Sequence, residues 1–317
     1  MSSELSDYSI GGYFELECMD NQFYHSNAIL LNSGRNALRY IIKVNKIKKL
    51  NVPAYTCKEV IESIKSEDCV IQFYNLNESF LPIESFRTNE FVLYTNYFGV
   101  NNNNIKILEQ KYSNLIIDNS QSFYSPCNGL VSFYSPRKFF GLPDGGFILG
   151  NKKANLILDE DHSFERCAHL LMRWDKGPEY AYSKFKLNDE SLNYQPIKKM
   201  SKLTQALMGN IDYEKVKQQR INNFEILNES LSTSNEIVFQ FSENQVPMVY
   251  PYLINSKKTR NNLLKNRIYI AKYWPEIDLI HPINNYEKYL QEFLLPLPID
   301  QRYNMQDMNK ILEVIFG

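Results

Sequence analysis

The chain has 317 residues, enough for about two domains with an ordinary buried core. Its 35 Lys and Arg nearly balance its 36 Asp and Glu, so no net field draws it to nucleic acid or to an anionic membrane. Five scattered cysteines without a CxxC pair exclude a disulfide framework and a zinc knuckle, and fit reduced thiols in a cytoplasm.

Residues 1–7 are polar and acidic, without the basic and apolar regions of a signal peptide. No apolar run reaches the roughly 18 residues of a spanning helix. After a Ser-Gly turn, Ala37, Leu38, Ile41 and Ile42 give helical spacing over 33–44. Residues 49–53 read as a short strand ending in Pro, and 57–64 as a helix. Residues 70–74 and 91–96 are apolar runs of strand length. A helix over 105–112 and a buried strand over 115–118 follow. Short strands are predicted at 131–134 and 146–149. The Asn run 101–104 reads as a loop. Strands alternating with helices predict a mostly parallel α/β sheet, with ligands at the carboxyl ends of its strands. The middle reads as two long helices, 159–176 and 201–231, the second long enough to bridge two units. Beyond it come a strand (247–254), a helix (259–266), a strand (293–296) and a terminal helix (305–316). The expected division is a large domain over 1–212. A long helix and a small α+β domain make up 213–317.

Three segments carry chemistry. Asn32-Ser33-Gly34-Arg35 opens a helix, where free backbone N–H groups and the helix dipole attract an anion. Arg35 adds a guanidinium suited to phosphate, although an ordinary capped helix start reads the same way. Asp118 closes a buried strand and is followed by Gln121. A carboxylate there is costly unless paired, so it is either a partner for a cation or a turn residue. Lys138 precedes Phe139 and Phe140, which would strip it of water and favour its neutral, nucleophilic form; a surface lysine in a turn-rich loop is the plainer alternative. Gly145-Gly146 permits a tight reversal into the next strand. The four histidines have no metal-ligand spacing, and no Walker loop or G-x-S-x-G occurs. A lone lysine beside a lone carboxylate is what pyridoxal phosphate chemistry requires. The amine condenses with the cofactor aldehyde and the acid keeps the ring nitrogen protonated.

Taken in order, these segments resemble the sugar aminotransferases of the DegT/DnrJ/EryC1/StrS family. Ser33-Gly34-Arg35-Asn36-Ala37-Leu38 is similar to the family's phosphate turn, and Val52-Pro53-Ala54-Tyr55-Thr56 to its strand end. Ile117-Asp118-Asn119-Ser120-Gln121 is similar to its ring-nitrogen segment, and the run from Lys138 to Gly146 keeps its lysine-to-[DE]-G-G spacing. Asn193-Tyr194, Met200-Ser201, Ala206-Leu207 and Arg220 match a later helical region. Tyr273-Trp274-Pro275 and the segment from Pro296 to Tyr303 match the small-domain closure.

The resemblance implies a fold type I pyridoxal 5'-phosphate enzyme. It would be a cytoplasmic homodimer with its active site at the interface, moving an amino group from glutamate or glutamine to a nucleotide-linked keto sugar for surface polysaccharide. It implies Lys138 as the cofactor-binding lysine, Asp118 as partner of the ring nitrogen and Gln121 beside the ring hydroxyl. Gly34, Arg35, Ser135 and, from the other subunit, Asn193 would bind the phosphate. The family's serine five residues before the lysine is Phe133 here, so Ser135 is the expected substitute. The family's ring-stacking aromatic aligns near Cys57, so stacking falls to Tyr55 or is absent. Relatives that are dehydratases carry histidine in place of the lysine, so Lys138 argues against that reaction. A non-catalytic binder of nucleotide sugars is the remaining alternative.

Overall fold

A computed structural model of the chain describes residues 11–19, 22–150, 156–238 and 245–317. The polar stretch at 1–7 lies outside them. The sheet has the order β1-β7-β6-β5-β4-β2-β3. Its strands are β1 (Ile29–Leu31), β2 (Lys49–Pro53), β3 (Val70–Tyr74), β4 (Phe91–Thr95), β5 (Asn114–Asp118), β6 (Val131–Tyr134) and β7 (Gly146–Leu149). The run from β3 through β2, β4 and β5 to β6 is parallel. Only β7 is antiparallel to its neighbours β6 and β1. The α/β expectation therefore holds, with β1 as an edge strand too short to read from sequence.

Both sheet faces are covered, as parallel strands require. On β4 and β5, Leu93 and Ile116 join one apolar cluster while Val92, Tyr94, Leu115 and Ile117 join another. The first cluster is roofed by α1 (Gly34–Val44), whose Ala37, Leu38, Ile41 and Ile42 face the sheet, and by α2 (Lys58–Lys65) through Val60 and Ile64. Ser33 Oγ caps α1 by accepting from Asn36 N at 3.1 Å. The second cluster takes in α3 (Asn102–Glu109) through Ile105 and Leu108. The Asn run begins this helix instead of looping before it.

The middle departs from expectation. Residues 159–163 are not helical, because their backbone pairs with Lys199 (Lys199 N to Asp159 O, 2.8 Å; Asp161 N to Lys199 O, 3.1 Å). Helix α4 (Ala168–Lys176) follows, and then α5 (Pro178–Ser191), unanticipated because its apolar residues do not form a core-facing stripe. The single helix expected over 201–231 is two, α6 (Lys202–Gly209) and α7 (Tyr213–Leu231). Gly209-Asn210 ends the first, and the Asp212 carboxylate starts the second by accepting from Lys215 N at 3.0 Å.

The C-terminal layer is a two-stranded antiparallel ribbon, β8 (Val249–Leu253) with β9 (Leu294–Pro298). Around it lie α8 (Lys257–Lys265), α9 (Ile277–Ile280), α10 (Asn285–Phe293) and α11 (Met305–Phe316). Phe224, Leu227 and Leu231 of α7, Tyr250, Leu295 and Met308 join the same cluster as Tyr94 and Ile117, so this layer packs on the sheet through one continuous core. Among the described residues, no helix is long and apolar enough to cross a membrane.

Candidate active site

The carboxyl ends of β5 and β6 lie side by side, with Asp118 opposite Phe133 in register. Asp118 is 4 % exposed. Its Oδ1 accepts from Ser120 N at 2.8 Å, an Asx turn that reverses the chain at the strand end. After β6 the chain makes a single 3-10 turn, Pro136–Lys138. Lys138 Nζ then donates to Ser120 Oγ at 3.0 Å. One serine thus bridges the two groups, its amide on the acid and its hydroxyl on the amine. Burial raises the Asp118 pKa above the usual carboxylate value, and the Lys138 charge and the Ser120 hydrogen bonds oppose that rise. Cys57, the N-cap residue of α2, stands within reach of the same charges. Its thiol is pushed up to about 12, by burial first and by Glu59 next, while Lys138 pulls it down.

One part of the expectation for Lys138 is corrected. The residue is exposed, and Phe139 and Phe140 turn away into a buried aromatic cluster with Phe123 and Tyr124. The phenylalanines anchor the turn and do not cover the amine.

The start of α1 meets this turn. A Cβ on Gly34 would stand 3.3 Å from Ser135 Cβ and 3.7 Å from Ser135 Oγ. Behind it, Gly145 N donates to Asn32 O at 2.8 Å. Any Cβ on Gly146 would lie 2.2 Å from the Ser33 carbonyl, so glycine is needed there for close packing of two backbones. Gly34 and Ser135 therefore form a shallow cradle at a helix N-terminus, next to the turn that bears Lys138.

Arg35 is not free to point into that cradle. Its Nη2 pairs with Asp189 at 3.3 Å, and Arg137 Nη1 pairs with the same carboxylate at 3.3 Å. Burial raises the Asp189 pKa, but the two guanidiniums outweigh it and hold the acid below its usual range. Arg35 therefore ties α1 to α5 and to the lysine turn, in place of the phosphate contact expected from sequence.

One further expectation, that for Tyr55, is also corrected, while Gln121 has one end of its amide engaged. Gln121 is buried, and its Oε1 accepts from Phe98 N at 2.8 Å, which commits the amide oxygen to a residue with φ 61°. Tyr55 is fully buried, with its ring 4.6 Å from Trp274 and 6.1 Å from Tyr97. It belongs to the core and offers no open ring face. Asn193 lines a cavity of about 150 Å³ with Arg35, Arg39 and Tyr194, outside the Lys138 cluster. Phe133, in the place of the family's serine, is packed among core residues beneath α1.

Ser120, Arg137 and Asp189 escaped the sequence reading. The Asp-x-Ser spacing was a signal for the first. Asp189 carried none, because its helix was not anticipated.

No protein-family model matches the sequence, and no curated protein does. Solved structures do match in three dimensions. A DegT/DnrJ/EryC1/StrS aminotransferase from Brucella abortus aligns with a TM-score of 0.62 at 16% identity, over 92% of this chain and 85% of that one. A sugar aminotransferase from Micromonospora echinospora aligns at 0.61 and 10% identity, over 91% and 86%. A variant of GDP-4-keto-6-deoxymannose-3-dehydratase with bound GDP-perosamine aligns at 0.64 and 15% identity, over 91% and 88%. The chain shares its fold with these enzymes, the dehydratase among them, over about nine-tenths of its length.

Proposed function

We propose that the protein is a pyridoxal 5'-phosphate-dependent aminotransferase that transfers an amino group from glutamate or glutamine to a nucleotide-linked keto sugar. The observation that carries this reading is the Lys138–Ser120–Asp118 cluster at the carboxyl end of the sheet. The donor set fits the cofactor. An exposed amine stands beside a buried acid that gains from a cationic neighbour, and the Gly34–Ser135 cradle lies at a helix N-terminus suited to phosphate. When bound, pyridoxal phosphate supplies an aldehyde for amines and a protonated ring that accepts electrons.

The chain's own residues then divide the work. Lys138 Nζ would hold the cofactor covalently and, when free, would carry a proton between the reacting carbons. Ser120 holds the amine near Asp118 through its hydroxyl. Asp118 would accept from a ring nitrogen and keep it charged. Gly34 and Ser135 take the phosphate, and Arg35 with Asp189 fixes the turn behind them. The donor's keto product would leave before the keto sugar enters, so ping-pong kinetics are expected.

The same reading makes the protein a cytoplasmic homodimer working in surface-polysaccharide synthesis, with the partner subunit contributing around Asn193. Two exposed helices support the dimer. Leu171 and Trp174 of α4 are 66 % and 93 % exposed, and Tyr182 and Phe185 of α5 are also exposed.

The test is spectroscopic. Adding pyridoxal phosphate to the purified protein should give the absorbance of a lysine-bound cofactor, and Lys138→Ala should abolish it. A wild-type protein without that band sinks the assignment. Nucleotide-sugar binding without the band would favour a non-catalytic binder instead.

A further inference from the structure

Arg220, near the middle of α7, is 1 % exposed. Its Nε donates to Gln301 Oε1 at 3.2 Å, and its Nη1 to the carbonyls of Met248 at 3.0 Å and Pro247 at 3.4 Å. Its Nη2 donates to the carbonyl of Phe139 at 3.4 Å. The guanidinium carbon also lies 4.4 Å from the centroid of the Phe139 ring. Gln301 Nε2, from the segment after β9, donates to the same Phe139 carbonyl at 2.8 Å. Phe139 is the residue after Lys138. On the other side of the turn, Lys138 N donates to Ser135 O at 3.2 Å and Phe139 N to Pro136 O at 2.9 Å. The backbone that carries the amine is therefore gripped from both ends, by its own turn and by two donors from the C-terminal layer.

A fully buried guanidinium is a costly way to fill space. A packed apolar side chain of similar volume is often neutral or stabilising in its place. The cost is met here by partners from three separate segments, and the one nearest the reactive centre receives two donors.

We propose that Arg220 and Gln301 are positioning residues that hold the Lys138 backbone through the Phe139 carbonyl and so fix where the amine stands. The proposal rests on the reading of Lys138 as the reactive amine. A neighbouring residue separates positioning from plain structural support. Asn223, on the same helix, is fully buried and donates to the carbonyls of Ile299 at 3.1 Å and Tyr303 at 3.0 Å. It ties α7 to the same C-terminal turn without touching the lysine segment.

The experiment uses the cofactor-free full chain. Pulses of an amine-acylating reagent, followed by mass spectrometry, give the Lys138 modification rate relative to other exposed lysines across pH. Gln301→Leu should raise that relative rate by about fivefold, the equivalent of one hydrogen bond released. Asn223→Leu should lower the melting temperature at least as much and leave the Lys138 rate as in the wild type. Arg220→Lys, if it folds, should fall on the Gln301→Leu side. Equal Lys138 rates in wild type and Gln301→Leu, or the same change in Asn223→Leu, would overturn the proposal. A wild type that shows no cofactor band overturns the function reading separately, since the labelling needs no cofactor.

Discussion

Asp118 carries opposing demands at a single carboxyl group. Burial raises its pKa, so without a cationic ligand the folded protein holds a proton there to higher pH than the unfolded chain does. Stability from that proton is present below the unfolded value and is lost as pH rises through the folded one. Asp118→Asn keeps the shape and removes the penalty. The variant should therefore melt higher than wild type at pH 7 when cofactor-free, with the gain shrinking toward pH 4, while its turnover falls by about a hundredfold or more. Thermal melts across pH and a transamination assay check the two halves, and a variant that loses both stability and activity would contradict the argument. At this scale the sequence was legible where a residue type is scarce and its spacing fixed. Asp118 and Lys138 stood out for that reason, and the structure brings them to one serine. Arg35 was misread because its true partner, Asp189, is more than a hundred positions away on a helix without a readable pattern. Tyr55 was misread because an aromatic side chain can be spent on the core as readily as on a ligand.

Between elements, Asp144 shows how a loop residue fixes a helix. It is fully buried, and it accepts from Ser201 N at 3.3 Å, from Ser201 Oγ at 3.1 Å and from Thr204 Oγ1. The carboxyl thus clamps the N-terminus of α6 to the glycine pair that packs on the α1 turn. Arg166 stands 3.6 Å away and shares its charge with Asp161 at 2.8 Å. Burial lifts the Asp144 pKa from 3.8 to about 6, against the pull of Ser201 and Arg166. The folded state therefore holds more protons than the unfolded state between those values, and stability declines as pH rises through that window. Urea unfolding at pH 4.5 and 7 should show the decline in wild type, by up to about 2 kcal/mol of the roughly 3 kcal/mol that a shift of this size gives in full. Asp144→Asn should flatten it, and an unchanged slope would remove Asp144 as its source. Strands such as β4 and β5 could be read in advance because both their faces are apolar. The break between α6 and α7 was missed because the helical period runs on through 210–212 while the backbone, stopped at Gly209-Asn210 and restarted by Asp212, does not.

For the whole molecule, the α4–α5 hairpin is the part that a single chain leaves unexplained. A helix that spends large apolar residues on solvent has no stabilising reason to do so alone. Only Ala181 and Asn188 of α5 are buried, yet Tyr182, Phe185 and Leu187 are about half exposed and Trp174 of α4 is 93 % exposed. The hairpin also leads directly into Asn193, the residue expected to act across subunits. A second copy packed on this face would account for both facts. The variant Leu171→Glu/Trp174→Glu should then sediment as a monomer at concentrations where wild type is a dimer. Losing an aromatic anchor at a packed interface costs about 2 kcal/mol or more, which is roughly thirtyfold or more in dissociation constant. Within one chain the same two positions are exposed, so the unfolding free energy of the isolated monomer should move by no more than about 0.5 kcal/mol. Affinity for pyridoxal phosphate should fall in step with dimer dissociation, because the phosphate cradle would lose the partner's contribution. A variant that stays dimeric would place the subunit contact elsewhere, and a wild type that sediments as a monomer would end the dimer reading; either leaves the exposed hairpin for another partner.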